Sequence, residues 1–378
     1  MSIQLFVPTF DVDSCLNEIK ECLEKGWTGM GFKTIEFEEK WKEYTGLRNA
    51  HYLNSATVGL NLTFEILKEG YGWSNGDEVI TTPMTFVSTN HAILLAGLRP
   101  VFADIDDTLC LNPKSVMERI TPKTKAVLYV GMGGNAGEYE QIVKICQENN
   151  LKLILDAAHM AGTRLNGVIP GNEADVVNYS FQAVKNLPTA DSGMICFKND
   201  EFDAIARKKA WLGINKDTFA RTNSAGNYKW KYDVEYVGHK YHGNSIMASI
   251  GLTQLKHLDR DNAYRRQVAK WYYEGLKKYG DKVKFVRIPE NCETSQHLFQ
   301  IIVEDRDGLM EWLNQNDIFP GVHYVENTQY RMYAYANGTC PLASYMSDHV
   351  LSLPLHMRLT YKDVEVVINK IGEFLEKK

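Results

Sequence analysis

Lys185 is the residue of this chain best placed for covalent chemistry. It closes the run Asn178-Tyr179-Ser180-Phe181-Gln182-Ala183-Val184-Lys185, just beyond an apolar stretch that reads as a strand. A second apolar stretch, Leu151–Asp156, ends on a carboxylate. A lysine amine forms a Schiff base with an aldehyde, and a carboxylate beside a pyridine nitrogen keeps that nitrogen protonated. An amine and an acid at two strand ends are thus the pair that pyridoxal 5′-phosphate (PLP) chemistry needs. Each residue also has an ordinary alternative. A lone lysine is most often a solvated surface residue, and an Asp after a strand makes a good helix N-cap. Taken together, the two favour the cofactor reading.

The same chemistry needs a phosphate cradle and a platform for a flat ring. Asn54-Ser55-Ala56-Thr57-Val58-Gly59 joins a short apolar stretch to an apolar helix. Small residues there leave the N–H groups at the helix start, around Ala56, Thr57 and Val58, open to an anion; Thr57 as a plain N-cap is the alternative. Ser180 offers a hydroxyl to the same anion, or a turn hydrogen bond. Phe86, in Pro83-Met84-Thr85-Phe86-Val87-Ser88-Thr89, is a candidate to stack on the ring, or a core residue. A competing pattern uses Gly131, Gly133 and Gly137, which follow the strand Ala126–Val130, with Asp156 ending the next strand. That spacing mimics a dinucleotide fingerprint with its ribose-binding acid. An NAD-binding protein would leave Lys185 without a role.

These residues require a sheet to hold them. Candidate strands are His51–Asn54, Glu78–Thr82, Val101–Ile105, Ala126–Val130, Leu151–Asp156, Val176–Phe181 and Met194–Phe197. Several are continuous apolar runs, which suits strands buried on both faces. Helical patterns such as Val58–Leu67 and Glu138–Asn149 lie between them. The alternation predicts an α/β fold: a large domain with a mostly parallel seven-stranded sheet flanked by helices, its ligands beyond the strands' carboxyl ends. Helices are expected upstream at Val12–Lys25 and Thr34–Tyr44, and Ile246–Leu276 reads as one long helical stretch. Lys282–Phe285, His297–Val303 and a closing helix at Asp363–Lys377 suggest a smaller C-terminal α+β domain. The expected division is a PLP-binding domain over 1–250 and a small domain over 251–378.

Composition narrows the class of partner. With 44% hydrophobic and 24% charged residues, the chain is ordinary for a globular protein, and a net charge of −5 gives no sign of a nucleic-acid partner. No apolar run approaches a membrane span, and the N-terminus lacks a secretory pattern, so a cytoplasmic location is expected. Seven scattered cysteines with no C-x-x-C spacing indicate neither a zinc site nor a disulfide framework. No metal is expected.

The ordered blocks of the sequence resemble the DegT/DnrJ/StrS family of PLP-dependent sugar aminotransferases, of the aspartate aminotransferase (fold type I) superfamily. The blocks are Gly26-Trp27 with Gly31, Phe37-Glu38, Gly76-Asp77-Glu78-Val79-Ile80, Thr85-Phe86, Gly97 through Asp104, Asp156-Ala157-Ala158-His159, Ser180-Phe181 with Lys185-Asn186-Leu187, Gly251-Leu252 with Gln254-Leu255, His323-Tyr324 and Leu351-Ser352-Leu353-Pro354-Leu355. The resemblance implies Lys185 as Schiff-base lysine and Asp156 as partner of the pyridine nitrogen. It further implies Ala56, Thr57, Val58 and Ser180 at the phosphate, Phe86 on the ring and His159 on the ring-oxygen side. Trp27, Thr28, Gln182, His323 and Tyr324 become candidate substrate residues.

By the same resemblance, an amino donor, glutamate, converts the cofactor to pyridoxamine phosphate, which then aminates the ketone of a nucleotide-linked deoxysugar in polysaccharide biosynthesis. The site is expected at the interface of a homodimer. Another phosphorylated or a non-nucleotide keto sugar is the alternative substrate. Related dehydratases carry His in place of the lysine, so Lys185 favours amino transfer. Three places depart from the family pattern. Gln182 stands where His is common, and Ala190-Asp191-Ser192-Gly193 replaces Gly-Glu-Gly-Gly. Gly238-His239-Lys240-Tyr241-His242 replaces Gly-Tyr-Asn-Tyr-Arg, so Lys240 takes the place of an Asn that reaches the partner's phosphate.

Overall fold

All seven apolar stretches enter one sheet. In a computed structural model that describes residues 2–215 and 232–377, the strands are β1 (His51–Leu53), β2 (Glu78–Thr81), β3 (Arg99–Phe102), β4 (Thr124–Val130), β5 (Lys152–Asp156), β7 (Val176–Ser180) and β8 (Gly193–Phe197). Their order is β1-β8-β7-β5-β4-β2-β3. Every pairing is parallel except those of β8, which runs antiparallel to both β1 and β7. Alternate residues of the central strands feed separate cores: Val127, Tyr129 and Leu153 on one face, Ala126, Leu128 and Ile154 on the other. Burial on both faces is why the strands read as unbroken apolar runs. β3 starts two residues before the expected Val101 and takes in Pro100, which an edge strand tolerates because one side of its ladder is unpaired.

Helices cover both faces. One side carries α2 (Phe32–Thr45), α5 (Pro113–Glu118) and α6 (Tyr139–Glu148), while α1 (Val12–Glu24) packs on the helix that starts at Ser245. The other carries α3 (Ala56–Tyr71), α4 (Val87–Leu95) and α7 (Asp200–Lys209). The long helical stretch expected from Ile246 is two helices, α8 (Ser245–Leu255) and α9 (Leu258–Leu276). Lys256 and His257 bond back to Thr253 and Gln254 in tight i,i+3 turns, which redirects the chain. α8 packs on α1 and α2, whereas α9 from Val268 onward belongs to a second core. That core joins α9 to a three-stranded antiparallel sheet in the order β12-β11-β9 (β12, Val350–Leu353; β11, Phe299–Ile302; β9, Lys284–Phe285) and to α10 (Arg306–Gln315) and α12 (Tyr361–Glu376). Residue 251 falls within α8, and Ile3 from the N-terminus reaches into the second core. A β6–β10 pair (Arg164–Leu165 with Cys292–Glu293) and α11 (Pro341–His349) complete the elements the site depends on.

The start of α3 rests directly on β8. A Cβ built on Gly193 would lie 2.5 Å from Ala56 N and 2.7 Å from Ser55 C, both backbone atoms that cannot swing aside. Only a residue without a side chain lets this helix start lie so close to the sheet. Gly193→Ala is therefore expected to destabilise the protein by about 1–3 kcal/mol, the usual cost of overpacking. A lower urea midpoint at unchanged slope would show it; an unchanged midpoint would refute it.

Candidate active site

β5 and β7 are parallel neighbours in which Asp156 pairs with Asn178, so both chains leave the sheet at one edge. Asp156 does not cap a helix. The chain turns after it, and its Oδ1 accepts from Ala158 N at 3.2 Å. Its Oδ2 accepts from Thr89 Oγ1 at 2.8 Å, and the residue is only 4% exposed. Burial raises the Asp156 pKa, against the hydrogen bonds of Thr89 and Ala158 and the charge of Lys185. Lys185 lies in the connection between β7 and β8, in a turn where its N–H donates to Gln182 O at 2.8 Å. Burial lowers its pKa to about 8, and Asp156 is the one charge that works against this fall. The residue keeps some exposure because it faces a cavity, while protein encloses the cavity around it.

That cavity has a volume of about 420 Å3 and is lined by Asp156 and Lys185 together with residues from α3 and α4 and with His323 and Tyr324. At one end is the start of α3. Ser55, not Thr57, caps this helix, its Oγ accepting from Val58 N at 3.3 Å. The Val58 N–H is thereby used, and the first intrahelical bond is from Gly59 N to Ser55 O. The N–H groups of Ala56 and Thr57 precede it and meet the cavity with the positive end of the helix dipole. Ser180, at the end of β7 and 8% exposed, lines the same cavity. Phe86 stands at the rim, 56% exposed despite its size, with its ring centroid 6.1 Å from that of Tyr324.

His159 sits beyond Asp156. Its Nδ1 accepts from Gly133 N at 3.2 Å, and its Nε2 is 3.3 Å from Tyr324 Oη. Burial, and then the charges of Lys185 and His323, hold it well below its usual pKa. His323 is held down to about 4 by burial and by Lys185, and its Nδ1 is 2.9 Å from Ser352 Oγ. Gln182 also lines the cavity, its Oε1 accepting from Val184 N. Trp27, Thr28 and Lys240 lie outside the lining: Trp27 Nε1 donates to Met30 O at 2.8 Å, Thr28 O accepts from Ser245 N at 3.0 Å, and Lys240 Nζ lies 3.9 Å over the Trp211 ring.

Several residues at the site have no role in the sequence reading. Thr89 could have been found, because it lies one helical turn after Phe86. Asn186 stands in one of the family blocks, but its contact with His297 carries no local signal, because the two meet across a sequence separation of 111 residues.

The dinucleotide pattern is overturned. No α-helix opens at Gly131–Gly134; the turn there is a single 3-10 turn. A Cβ on Gly131 would strike Met160 Sδ at 2.0 Å, and one on Gly137 would strike Tyr129 Oη at 2.6 Å. The protein itself fills the space a pyrophosphate would take. A larger cavity, about 670 Å3, lies on the far side of Gly133 and holds neither Lys185 nor Asp156.

The donor set fits PLP: a buried acid, an amine with lowered pKa, a helix start closed in behind by Gly193, and an exposed aromatic ring at the mouth. Comparison with known proteins agrees. The model of the DegT/DnrJ/EryC1/StrS aminotransferase family matches residues 11–372. The spore coat polysaccharide biosynthesis protein SpsC of Bacillus subtilis is 31% identical over 374 residues, covering 96% of this chain and 94% of SpsC. The sugar aminotransferase CalS13 of Micromonospora echinospora superposes with a TM-score of 0.89 at 26% identity, over 98% of this chain and 99% of that one. Spr1654 of Streptococcus pneumoniae, solved in a PLP form and a PMP form, gives a TM-score of 0.90 for each, at 26% and 27% identity. Its PLP form covers 100% of this chain and 99% of that one; its PMP form covers 98% and 99%. The fold and site are those of a PLP-dependent aminotransferase. The chain belongs to the DegT/DnrJ/EryC1/StrS aminotransferase family.

Burying the amine has a measurable cost. Burial brings the pKa of Lys185 down to about 8, below the ordinary lysine value of 10.5. Between these values the unfolded chain binds more protons, so this group's contribution to stability rises with pH across that window. Stripped of cofactor, Lys185→Met is expected to exceed the parent in stability at neutral pH by up to roughly 3 kcal/mol. The difference should narrow as pH rises above 8, as followed by urea denaturation at several pH values. A gap that stays constant with pH would contradict the lowered pKa.

Proposed function

We propose that this protein transfers an amino group from an amino acid, L-glutamate, to the ketone of a nucleotide-linked keto-deoxysugar. The observation that carries the reading is the lowered-pKa lysine and the buried carboxylate lining one cavity at the carboxyl edge of the sheet. The likeness to CalS13, a sugar aminotransferase, and to SpsC, a spore coat polysaccharide biosynthesis protein, supports a sugar substrate.

PLP, when bound, supplies the aldehyde that takes up the amino group and a ring that accepts the electrons of the adjacent carbon. The protein's own residues do the rest. Asp156, held by Thr89 and Ala158, sets a negative charge where the ring nitrogen must stay protonated. The N–H groups at the start of α3 and the hydroxyls of Thr57 and Ser180 would hold the phosphate. Phe86 would stack on the ring, and His159 would contact its oxygen side. Lys185 Nζ, once free, takes the proton from the donor's α-carbon; a pKa of about 8 leaves a usable share of neutral amine near neutral pH.

Gln182, His323 and Tyr324 face the space left for substrate. No arginine lines the cavity among the described residues, so a donor carboxylate calls for groups from outside it. A homodimer meets this need: Trp27, Thr28 and Lys240 would serve the partner's site, with Lys240 at its phosphate. A large domain over 1–250 and a small one over 251–378 belong to the same proposal. A keto sugar without a nucleotide is favoured only by the departures at Gln182 and Asp191-Ser192.

The test is a screen of nucleotide-linked and free keto sugars against protein loaded with pyridoxamine 5′-phosphate, following return of the visible PLP band. Nucleotide-linked ketones are expected to restore it, and Lys185→Ala to slow restoration by more than about a thousandfold. Restoration by free sugars alone would overturn the substrate class. Full activity of Lys185→Ala would overturn the assignment of the lysine.

A further inference from the structure

We propose that Ser295–His297, set against the glycine turn Gly131–Gly134, locks His159 as a neutral imidazole with its proton on Nε2 and ties it to the lysine loop. In this scheme His297 is a positioning residue. The consequence for the cofactor rests on the reading of His159 given above; the lock itself does not.

Gly133 is bonded through both its N–H and its carbonyl. Its N–H donates to His159 Nδ1 at 3.2 Å, while its carbonyl accepts from His297 N at 2.9 Å and Leu298 N at 3.3 Å. A nitrogen that accepts cannot carry the proton of a neutral imidazole, so that proton lies on Nε2, facing Tyr324 Oη. The left-handed backbone at Gly133 (φ +65) and Gly134 (φ +93) makes this turn possible. A Cβ on Gly134 would fall 2.2 Å from Ser295 Oγ, and that hydroxyl donates to His159 O at 2.7 Å. The glycine pattern that mimics a nucleotide fingerprint is thus used to hold a histidine.

His297 completes the lock. Its ring centroid is 4.3 Å from that of His159, and Phe6 stacks on it at 5.6 Å. Its Nδ1 is 2.9 Å from Asn186 Oδ1. Asn186 Nδ2 already donates to Asn262 Oδ1 and to Ser295 O, both at 2.7 Å, so Oδ1 is the acceptor and His297 Nδ1 is the donor. The two rings therefore hold opposite tautomers. Asn186 directly follows Lys185, so one chain of contacts runs from the lysine loop through His297 to His159. The groups facing the pair are Lys185, His323, Arg265 and Tyr324; the cations among them and the burial both oppose protonation of either ring. His159 is then a fixed donor that takes up no proton, which leaves proton movement to Lys185.

Long-range 15N NMR of histidine-labelled protein, with and without PLP, reads both tautomers directly. His159 is expected as Nε2–H and His297 as Nδ1–H, without titration from about pH 6 to about pH 8. The other tautomer at His159, or titration of either ring in that range, overturns the lock. If the tautomers hold but PLP leaves the His159 Nε2 signal unmoved, only the cofactor-facing reading of His159 fails. In His297→Leu, His159 is expected to lose its single tautomer, and PLP to bind about tenfold more weakly to the stripped protein. His297→Gln, which keeps a donor toward Asn186, should recover most of that loss. Unchanged His159 signals and PLP affinity in a folded His297→Leu overturn the positioning role. Should that variant fail to fold, the spectra of the parent protein still decide.

Discussion

The site depends on enclosing an amine and a carboxylate together with little water. Burial pushes the Lys185 pKa down and that of Asp156 up, while each charge favours the charged form of the other. The two effects oppose each other at both groups, which suits an amine that must both hold and release a proton. Everything packed around the pair serves this balance: Thr89 and Ala158 satisfy the acid, and the neutral histidines add polarity without competing charge. A protonated imidazole in their place would repel the amine and lower its pKa further.

The three-stranded sheet of the second core takes part in the site. β12 pairs with β11, and Ser352 on β12 fixes the His323 ring that lines the cavity. Gln300 on β11 donates to the His323 carbonyl at 2.8 Å. Asn327 reaches across to bond Thr85 O and Asn90 Nδ2, next to Phe86 and Thr89. A displacement of the second core relative to the sheet would therefore reach His323, Tyr324 and the start of α4 together.

Much of this was legible in the sequence because it is written locally. Continuous apolar runs fix the strands, and a chain leaving a parallel strand must reach the carboxyl edge, so Asp156 and the Ser180–Lys185 segment could be placed from pattern alone. Helix ends were less legible: Ser55 takes the cap for which Thr57 was a candidate, and the turn at Lys256–His257 breaks a helical pattern that runs through it. The glycine turn misleads because glycine reports close approach without saying what approaches. At Gly131 and Gly134 it is Met160 and Ser295, side chains that no local pattern could bring there. The meeting of His297 with Asn186 was hidden for the same reason.

β8 runs against its neighbours, and this makes the segment that carries Lys185 the loop of a β-hairpin between β7 and β8. A hairpin loop can change in length and sequence at small entropic cost, because both its ends are fixed by paired strands. The loop residues around Lys185 and Asn186 can therefore vary while the sheet order, Asp156 and the Gly193 contact with α3 stay as they are. The hairpin keeps Lys185 at a fixed edge of the sheet while the residues beside it are free to change, so one scaffold can be fitted to different substrates without moving its central amine.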